Sequence, residues 1–215
     1  MSAATPSNHP PLLAEAPAGA DTRTRIRHAA ARLFARRGYA GTGLKQVATD
    51  AAAPFGSIYH FFPGGKDALA EDMIRTTGPQ FMALVLGLLE ERADPVEAVV
   101  HAFDSAAEEL VADSYADGCP VATMALDVAD TNEPLRRAAA DVFAEWLDGG
   151  TAWFSRHVAR DRARDLALAM IMLTEGAFLL GRTTRDPGPL RAAGRTMGTL
   201  VQSALDATPR GPRSR

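Results

Sequence analysis

A chain of 215 residues and 22.8 kDa has room for one compact domain, or for a small module joined to a larger body. Its 47% apolar and 23% charged residues exclude a disordered, collagen-like or disulfide-scaffold protein, and the single Cys119 excludes an internal disulfide. The net charge of −3 conceals a division: residues 22–78 carry nine Lys and Arg against four acids, whereas residues 79–215 carry 14 basic and 20 acidic side chains. A basic first third on an acidic body is the charge pattern of a nucleic-acid reader carried by a non-binding domain, while taken alone a basic stretch is more often a solvated face.

Residues 1–20 are rich in Pro, Ala and Ser, with Pro6, Pro10, Pro11 and Pro17 blocking regular structure, and are expected to be a flexible tail; residues 208–215 are expected to be another. No basic flank followed by an apolar stretch marks a signal peptide. The richest apolar run, Leu166 to Leu180, contains Glu175 and is too short to span a bilayer. A soluble, cytoplasmic chain without a membrane partner is expected.

Beyond the tail the apolar residues recur at helical spacing, no stretch alternates long enough for a strand, and 42 alanines supply the best helix former, so the fold is expected to be all-α. The first helix is expected to open after Asp21 or Thr22, to bury Ile26, Ala30, Leu33 and Phe34, and to stop at Gly38. Thr42 is placed to cap a second helix with the stripe Leu44, Val47, Ala48 and Ala51. Pro54 suits the first position of a third, running to about Phe62 with Ile58 and Phe61 inward, before Pro63, Gly64 and Gly65 break it. A fourth starts near Lys66, buries Leu69, Met73 and Ile74, and is expected to end or kink at Gly78 and Pro79.

Further helices are expected to open at Asp94 and Pro95, at Pro120, and at Glu133 and Pro134, the last running through Phe143, Trp146, Trp153 and His157. Two more are expected over Arg162 to Thr184 and Pro189 to Ala207. The first of these two is apolar on almost every side in its middle and needs cover that a partner subunit would share. Glu175 within it must be paired, at an interface, or against a polar or cationic ligand.

Function is carried by residues 42–66. Two short helices joined by an Ala-rich turn make a helix-turn-helix, whose second helix is long enough to offer one face to the major groove and the other to its neighbour. Gly56 lets the backbone approach DNA closely, Ser57, Tyr59 and His60 offer hydrogen bonds, and Lys66 stands at a helix N-terminus, where a cation becomes favourable once a phosphate occupies the same spot.

Thr42, Gly56, Tyr59, Phe62 and Lys66 match, in order and nearly in spacing, the DNA-binding motif of the TetR family of transcriptional regulators, one extra Gly standing before the Lys. Together with Gly-Cys-Pro-Val-Ala-Thr at 118–123 and Leu-Thr-Glu-Gly-Ala at 173–177, the segment from Gly56 to Lys66 resembles the LmrA/YxaF-like branch. Phe55 departs from the branch, which has a basic or polar residue there, and is expected to meet a thymine methyl; Phe61 departs where a second His is frequent.

The resemblance implies an N-terminal three-helix DNA-binding domain at 21–67 and a larger helical effector-binding and dimerisation domain at 68–207. It implies a homodimer on a double-stranded DNA operator, released by a small-molecule effector, with DNA contacts from Thr42, Lys45, Phe55, Gly56, Ser57, Tyr59, His60 and Lys66. It further implies a pocket lined by Phe103, Cys119, Met124, Phe143, Trp146, Met170, Thr174 and Phe178, although the same residues read one by one are ordinary core. Cys119 is more simply a small buried apolar residue than an oxidation sensor. No catalytic, metal or cofactor site is expected: the five histidines are scattered, and HExxH, paired-Cys, GxSxG and Walker A patterns are absent. The competing readings are a DNA binder that answers to no effector and, less simply, an enzyme on a helical scaffold.

Overall fold

The computed structural model describes Leu13 and residues 15–207, which form helices joined by turns, with no strand among them. In chain order these are α1 (Thr22–Arg37), α2 (Leu44–Asp50), α3 (Phe55–Phe61), α4 (Lys66–Glu90), α5 (Pro95–Ala112), α6 (Pro120–Val128), α7 (Glu133–Phe154), α8 (Arg160–Thr184) and α9 (Gly188–Asp206). Most of the two tails expected to be flexible lies outside the described residues. The described part of the first, however, closes a turn in which Ala20 N donates to the Pro17 carbonyl, 2.9 Å away.

Contacts divide the chain into two units. One takes in the described residues through Phe81 together with Asp113–Ala144; the other takes in Met82–Ala112 and the described residues from Glu145 onward. The division therefore falls inside α4 and inside α7.

In the first unit, Asp21 caps α1 by accepting from Thr24 N at 2.7 Å, and Gly38 ends it at φ 67°, a left-handed value that suits a residue without Cβ. Ile26, Ala30, Leu33 and Phe34 are all buried, as their i, i+4, i+7, i+8 spacing predicts. Three local expectations are corrected. Thr42 does not cap α2; the N-cap is Gly43, and the buried Thr42 hydroxyl instead donates to the Gly38 carbonyl at 2.8 Å, closing the α1–α2 loop. Pro54 is the N-cap of α3 rather than its first residue. Phe62, not Phe61, joins Ile58 in the core, because the chain leaves the helix at Phe62 and turns that ring inward, while Phe61 stays half-buried beside His60.

Helix α4 neither ends nor stops at Gly78 and Pro79 but runs through them to Glu90. Pro79 removes one N–H from the ladder. Gly78 has a packing role: a Cβ there would overlap the Val142 side chain of α7.

In the second unit, Asp94 opens α5 by accepting from Val96 N and Glu97 N at 2.8 and 3.0 Å. Helix α9 lies along α5 with glycines at the approach, a Cβ on Gly194 standing 2.8 Å from that of Phe103 and one on Gly198 3.1 Å from Val100. Leu190, Met197 and Val201 of α9 and Val99 and Phe103 of α5 are all buried. Helix α7 ends at Phe154, short of His157, which lies in the turn that follows. Helix α8 is 25 residues, so the run judged too short to span a bilayer belongs to a helix long and apolar enough to do so by length and composition. Its uncovered side carries Leu168, Met172 (61% exposed), Leu179 (64% exposed) and Leu180, with Gly176 among them and nothing near its missing Cβ.

The glycines of α4 make opposite demands. Gly78→Ala is expected to lower stability by roughly 1–3 kcal/mol through overpacking against Val142. Gly87→Ala, facing open space in the same helix, is expected to raise it by about 0.5–1 kcal/mol through helix propensity. Urea midpoints of the two variants check both signs, and a stabilised Gly78→Ala would show that α7 yields at Val142.

Candidate nucleic-acid interface

Three short helices and the start of a fourth build the candidate interface. Helix α3 has seven residues, far below the length at which a helix holds itself in water, so its direction is set by what it packs on. Ile58 and Phe62 anchor it, on a core shared with Ile26, Ala30, Phe34, Val47 and Leu69. The turn before it runs through Ala51, Ala52 and Ala53, with Ala53 N donating to the Ala48 carbonyl at 2.9 Å and Ala52 held at φ 47°. That left-handed conformation costs a residue with a Cβ about 1–2 kcal/mol.

Arg25 compensates. From α1 its Nε donates to the Ala51 carbonyl at 3.0 Å, one terminal nitrogen to Ala20 at 2.9 Å and the other toward Ala52 at 3.4 Å. One planar guanidinium thus ties the approach to α1 to the α2–α3 turn. Sequence reasoning counted Arg25 only as part of a basic segment. The Ala-rich turn, whose carbonyls need donors, was the signal that would have found it.

With Ile58 inward, α3 turns Phe55, Gly56, Tyr59 and His60 to solvent, and Ser57 is half-buried. Phe55 is 43% and Tyr59 51% exposed, their rings edge to face at 5.8 Å. A Cβ on Gly56 would meet nothing, so the protein's own packing does not demand glycine there. Gly65 turns the chain into α4 at φ 66°, and a Cβ on it would crowd Tyr59 at 3.2 Å, which makes the additional glycine before Lys66 part of the turn geometry.

Lys66 is the first residue of α4. Its Nζ lies 4.3 Å from the centre of the Tyr39 ring, and partial burial pushes its pKa below the usual lysine value. The Tyr39 hydroxyl donates to the Asp67 carboxylate, and burial together with that bond pushes the phenol up to about 12. The ammonium is therefore held beside the α4 N-terminus by a ring that is itself tethered. Tyr39, which the sequence does not single out, and Asp67, which it offers only as one acid of the segment, are the residues that position it.

Much of the basic charge of this segment is already paired. Arg27 makes a two-pronged contact with Asp72, both distances 2.5 Å, Arg36 reaches Asp117 at 2.5 Å, and Arg75 bridges Glu71 and Asp141 at 3.0 and 3.2 Å. Lys45 remains exposed on α2.

Two family models match successive stretches of the chain. The family model "Bacterial regulatory proteins, tetR family" matches residues 26–73, and "Transcriptional regulator LmrA/YxaF-like, C-terminal domain" matches 95–196. The HTH-type transcriptional regulator YxaF of Bacillus subtilis, itself described as uncharacterized, is 34% identical over 85% of this chain and 96% of its own length. The chain belongs to the TetR family of transcriptional regulators. The regulator LmrA of the same organism is 30% identical over 79% of this chain and 91% of its own. Among solved structures, a TetR regulatory protein of Rhodobacter sphaeroides superposes with a TM-score of 0.75 at 22% identity, over 83% of this chain and 98% of that one. FadR of Bacillus subtilis in complex with stearoyl-CoA does so at 0.64 and 16%, over 85% and 98%. These two share the fold.

As a TetR regulator the chain is a DNA-binding protein, and the expected DNA-contact residues divide in two. Lys45, Phe55, Gly56, Tyr59 and His60 are exposed and Ser57 and Lys66 half-buried, whereas Thr42 is 2% exposed with its hydroxyl already donating. The residues expected around an effector fall in both units. Cys119, Met124 and Phe143 belong to the first, where Cys119 caps α6 by accepting from Ala122 N at 3.4 Å. Phe103, Trp146, Met170, Thr174 and Phe178 belong to the second, Phe103 against α9 and the last three half-buried at successive turns of α8. A cavity of about 170 Å³ lies elsewhere, along α1 and the α2–α3 turn beside Arg25, His28 and Arg32.

Arg25→Ala is expected to destabilise the protein by roughly 1–2 kcal/mol and to weaken DNA binding, since the turn that aims α3 loses its tie. Ala52→Gly is expected to raise stability by roughly 1 kcal/mol by relieving the left-handed strain. Denaturation and duplex titration of both variants check this, and an unchanged midpoint for Arg25→Ala would remove the guanidinium from the account.

Proposed function

We propose that the protein is a homodimeric, ligand-responsive repressor, residing in the cytoplasm, that holds a palindromic operator and leaves it when a small molecule binds. Residues 21–67 read the DNA, and residues 68–207 provide the effector site and the dimer contacts. The observation that carries the reading is the exposed α3 face of Phe55, Gly56, Tyr59 and His60 beside an ammonium at the α4 N-terminus. Such a face offers groove contacts, and Lys66 with the α4 N-terminus offers a phosphate seat that fixes register. The uncovered side of α8, with Gly176 where a second helix could lie close, supports pairing with a second copy rather than immersion in lipid. Met170, Thr174 and Phe178, on one half-buried side of α8, support an apolar effector site with a single hydroxyl.

Coupling would run along α4, which starts at Lys66 and continues past Gly78 and Pro79 into the other unit. Helix α6 supplies a second route, because the Asp127 carboxylate accepts from Ala40 N at 3.2 Å in the α1–α2 loop.

The central test is binding to duplexes from the region upstream of the protein's own coding sequence, at several salt concentrations. Lys66→Ala is expected to weaken binding across sequences and to reduce the log–log salt slope by about one; an unchanged slope would remove Lys66 from the phosphate contacts. Operator affinity should fall roughly 5- to 150-fold on effector binding. Indifference to every metabolite tried would leave a DNA binder without a switch.

Leu179→Glu is expected to yield monomers with lost operator binding, read by sedimentation and by duplex titration. A wild-type monomer at micromolar concentration would contradict the dimer.

A further inference from the structure

We infer that Phe55 reads the methyl group of a thymine, so that the first turn of α3 selects its base by apolar contact rather than by hydrogen bonding. The inference rests on α3 being the helix that enters the groove.

Phe55 is the first residue of α3, and the opening residues of a reading helix are those that meet base edges. Its ring is 43% exposed, and the aromatic neighbour it touches, Tyr59, is more exposed still, so this is not a core residue that merely reaches the surface. It contributes no cap either, since Pro54 holds the N-cap position without a side-chain bond. The edge-to-face contact with Tyr59, at an interplanar angle of 77°, restricts the Phe55 ring and keeps one apolar surface presented outward.

The chemistry then narrows the target. Phenylalanine has no donor or acceptor, and neither does the side of Gly56; the half-buried Ser57 hydroxyl is the polar group of this turn. The first turn therefore lacks the forked donor that recognises guanine and the carboxamide that recognises adenine. Among the four bases, thymine alone offers the major groove an apolar handle, its C5 methyl. Gly56, with open space where a Cβ would stand, allows the helix to settle close enough for the ring to reach that depth.

One consequence separates this from generic aromatic contact with the sugar–phosphate backbone. The contact must depend on the methyl group and not on the rest of the base. Deoxyuridine, which pairs as thymidine does and lacks only the methyl, should lose it, and 5-methylcytosine, which carries the methyl on a different base, should regain it relative to cytosine.

The experiment uses the full-length protein. A duplex is selected from random sequence, and each thymine of the selected site is replaced in turn by deoxyuridine. One thymine in each half-site is expected to respond, with affinity falling about fourfold for one replacement and about fifteenfold for both, the worth of one buried carbon apiece. Phe55→Ala should bind the thymine duplex as weakly as the wild type binds the deoxyuridine duplex and be indifferent to the replacement. Phe55→Leu should keep part of the sensitivity, and 5-methylcytosine at that position should bind the wild type more tightly than cytosine. If the wild type selects a site but no deoxyuridine position matters, or if Phe55→Ala remains equally sensitive, the inference falls and operator binding stands. If the wild type selects no sequence at all, the reading of α3 falls with it. Because Phe55 lies outside the core, its variants should melt with the wild type, and that melt accompanies each titration.

Discussion

The DNA-reading end of the molecule depends on fixing a helix too short to fix itself. Seven residues give α3 little more than one closed turn of backbone bonds, so its aim comes from outside: from Ile58 and Phe62 in the core, and from the turn that delivers it. That turn is tight enough to force Ala52 into a left-handed conformation, and its carbonyls face α1, where Arg25 meets two of them. The guanidinium is planar and the carbonyls are rigid parts of the chain. The direction of α3 is thereby referred to α1, the longest element of the domain before α4, rather than to the flexible side chains around it.

The same economy governs charge. A segment carrying nine basic residues would repel itself if all faced one groove, and pairing Arg27 with Asp72, Arg36 with Asp117 and Arg75 with Glu71 and Asp141 removes that penalty while knitting α1 and α4 to their neighbours. Lys45 stands on the open side of α2, Lys66 above a tyrosine ring, and Arg37 is exposed at the end of α1. The two lysines of the chain thus both lie in this segment, and several of its arginines are engaged in ion pairs or backbone contacts. Exposed ion pairs of this kind contribute little stability one by one, so their value lies in geometry.

Where periodicity carried the information, the sequence was legible: the buried stripe of α1, the caps Asp21 and Asp94, and the prolines that open α5 and α6 were all readable, because each is a local physical requirement. Features that depend on a distant neighbour were not. Thr42 is a good N-cap residue by type, yet a carbonyl left over at the end of α1 claims its hydroxyl first. Gly78 beside Pro79 has the form of a helix break, but the helix persists and the glycine answers to Val142, 64 positions away. Phe61 and Phe62 are indistinguishable by composition, and only the exit angle of the chain decides which ring goes in. Tyr39, in a loop, gave no sign that it would underlie Lys66.

The α1–α2 loop shows how tightly the reading end is bound to what lies behind it. Gly38 is required twice over, by its left-handed φ and because a Cβ would overlap the Asp127 carboxylate. That carboxylate, in the last turn of α6, accepts from Ala40 N, and its charge also favours the ammonium form of Lys66. The opposite end of α6 opens at Pro120, with the Cys119 sulfur accepting from Ala122 N as a cap within the helix. The Asp127–Ala40 bond thus joins α6 to the loop that Thr42 closes, and that loop leads directly into α2 and the turn before α3.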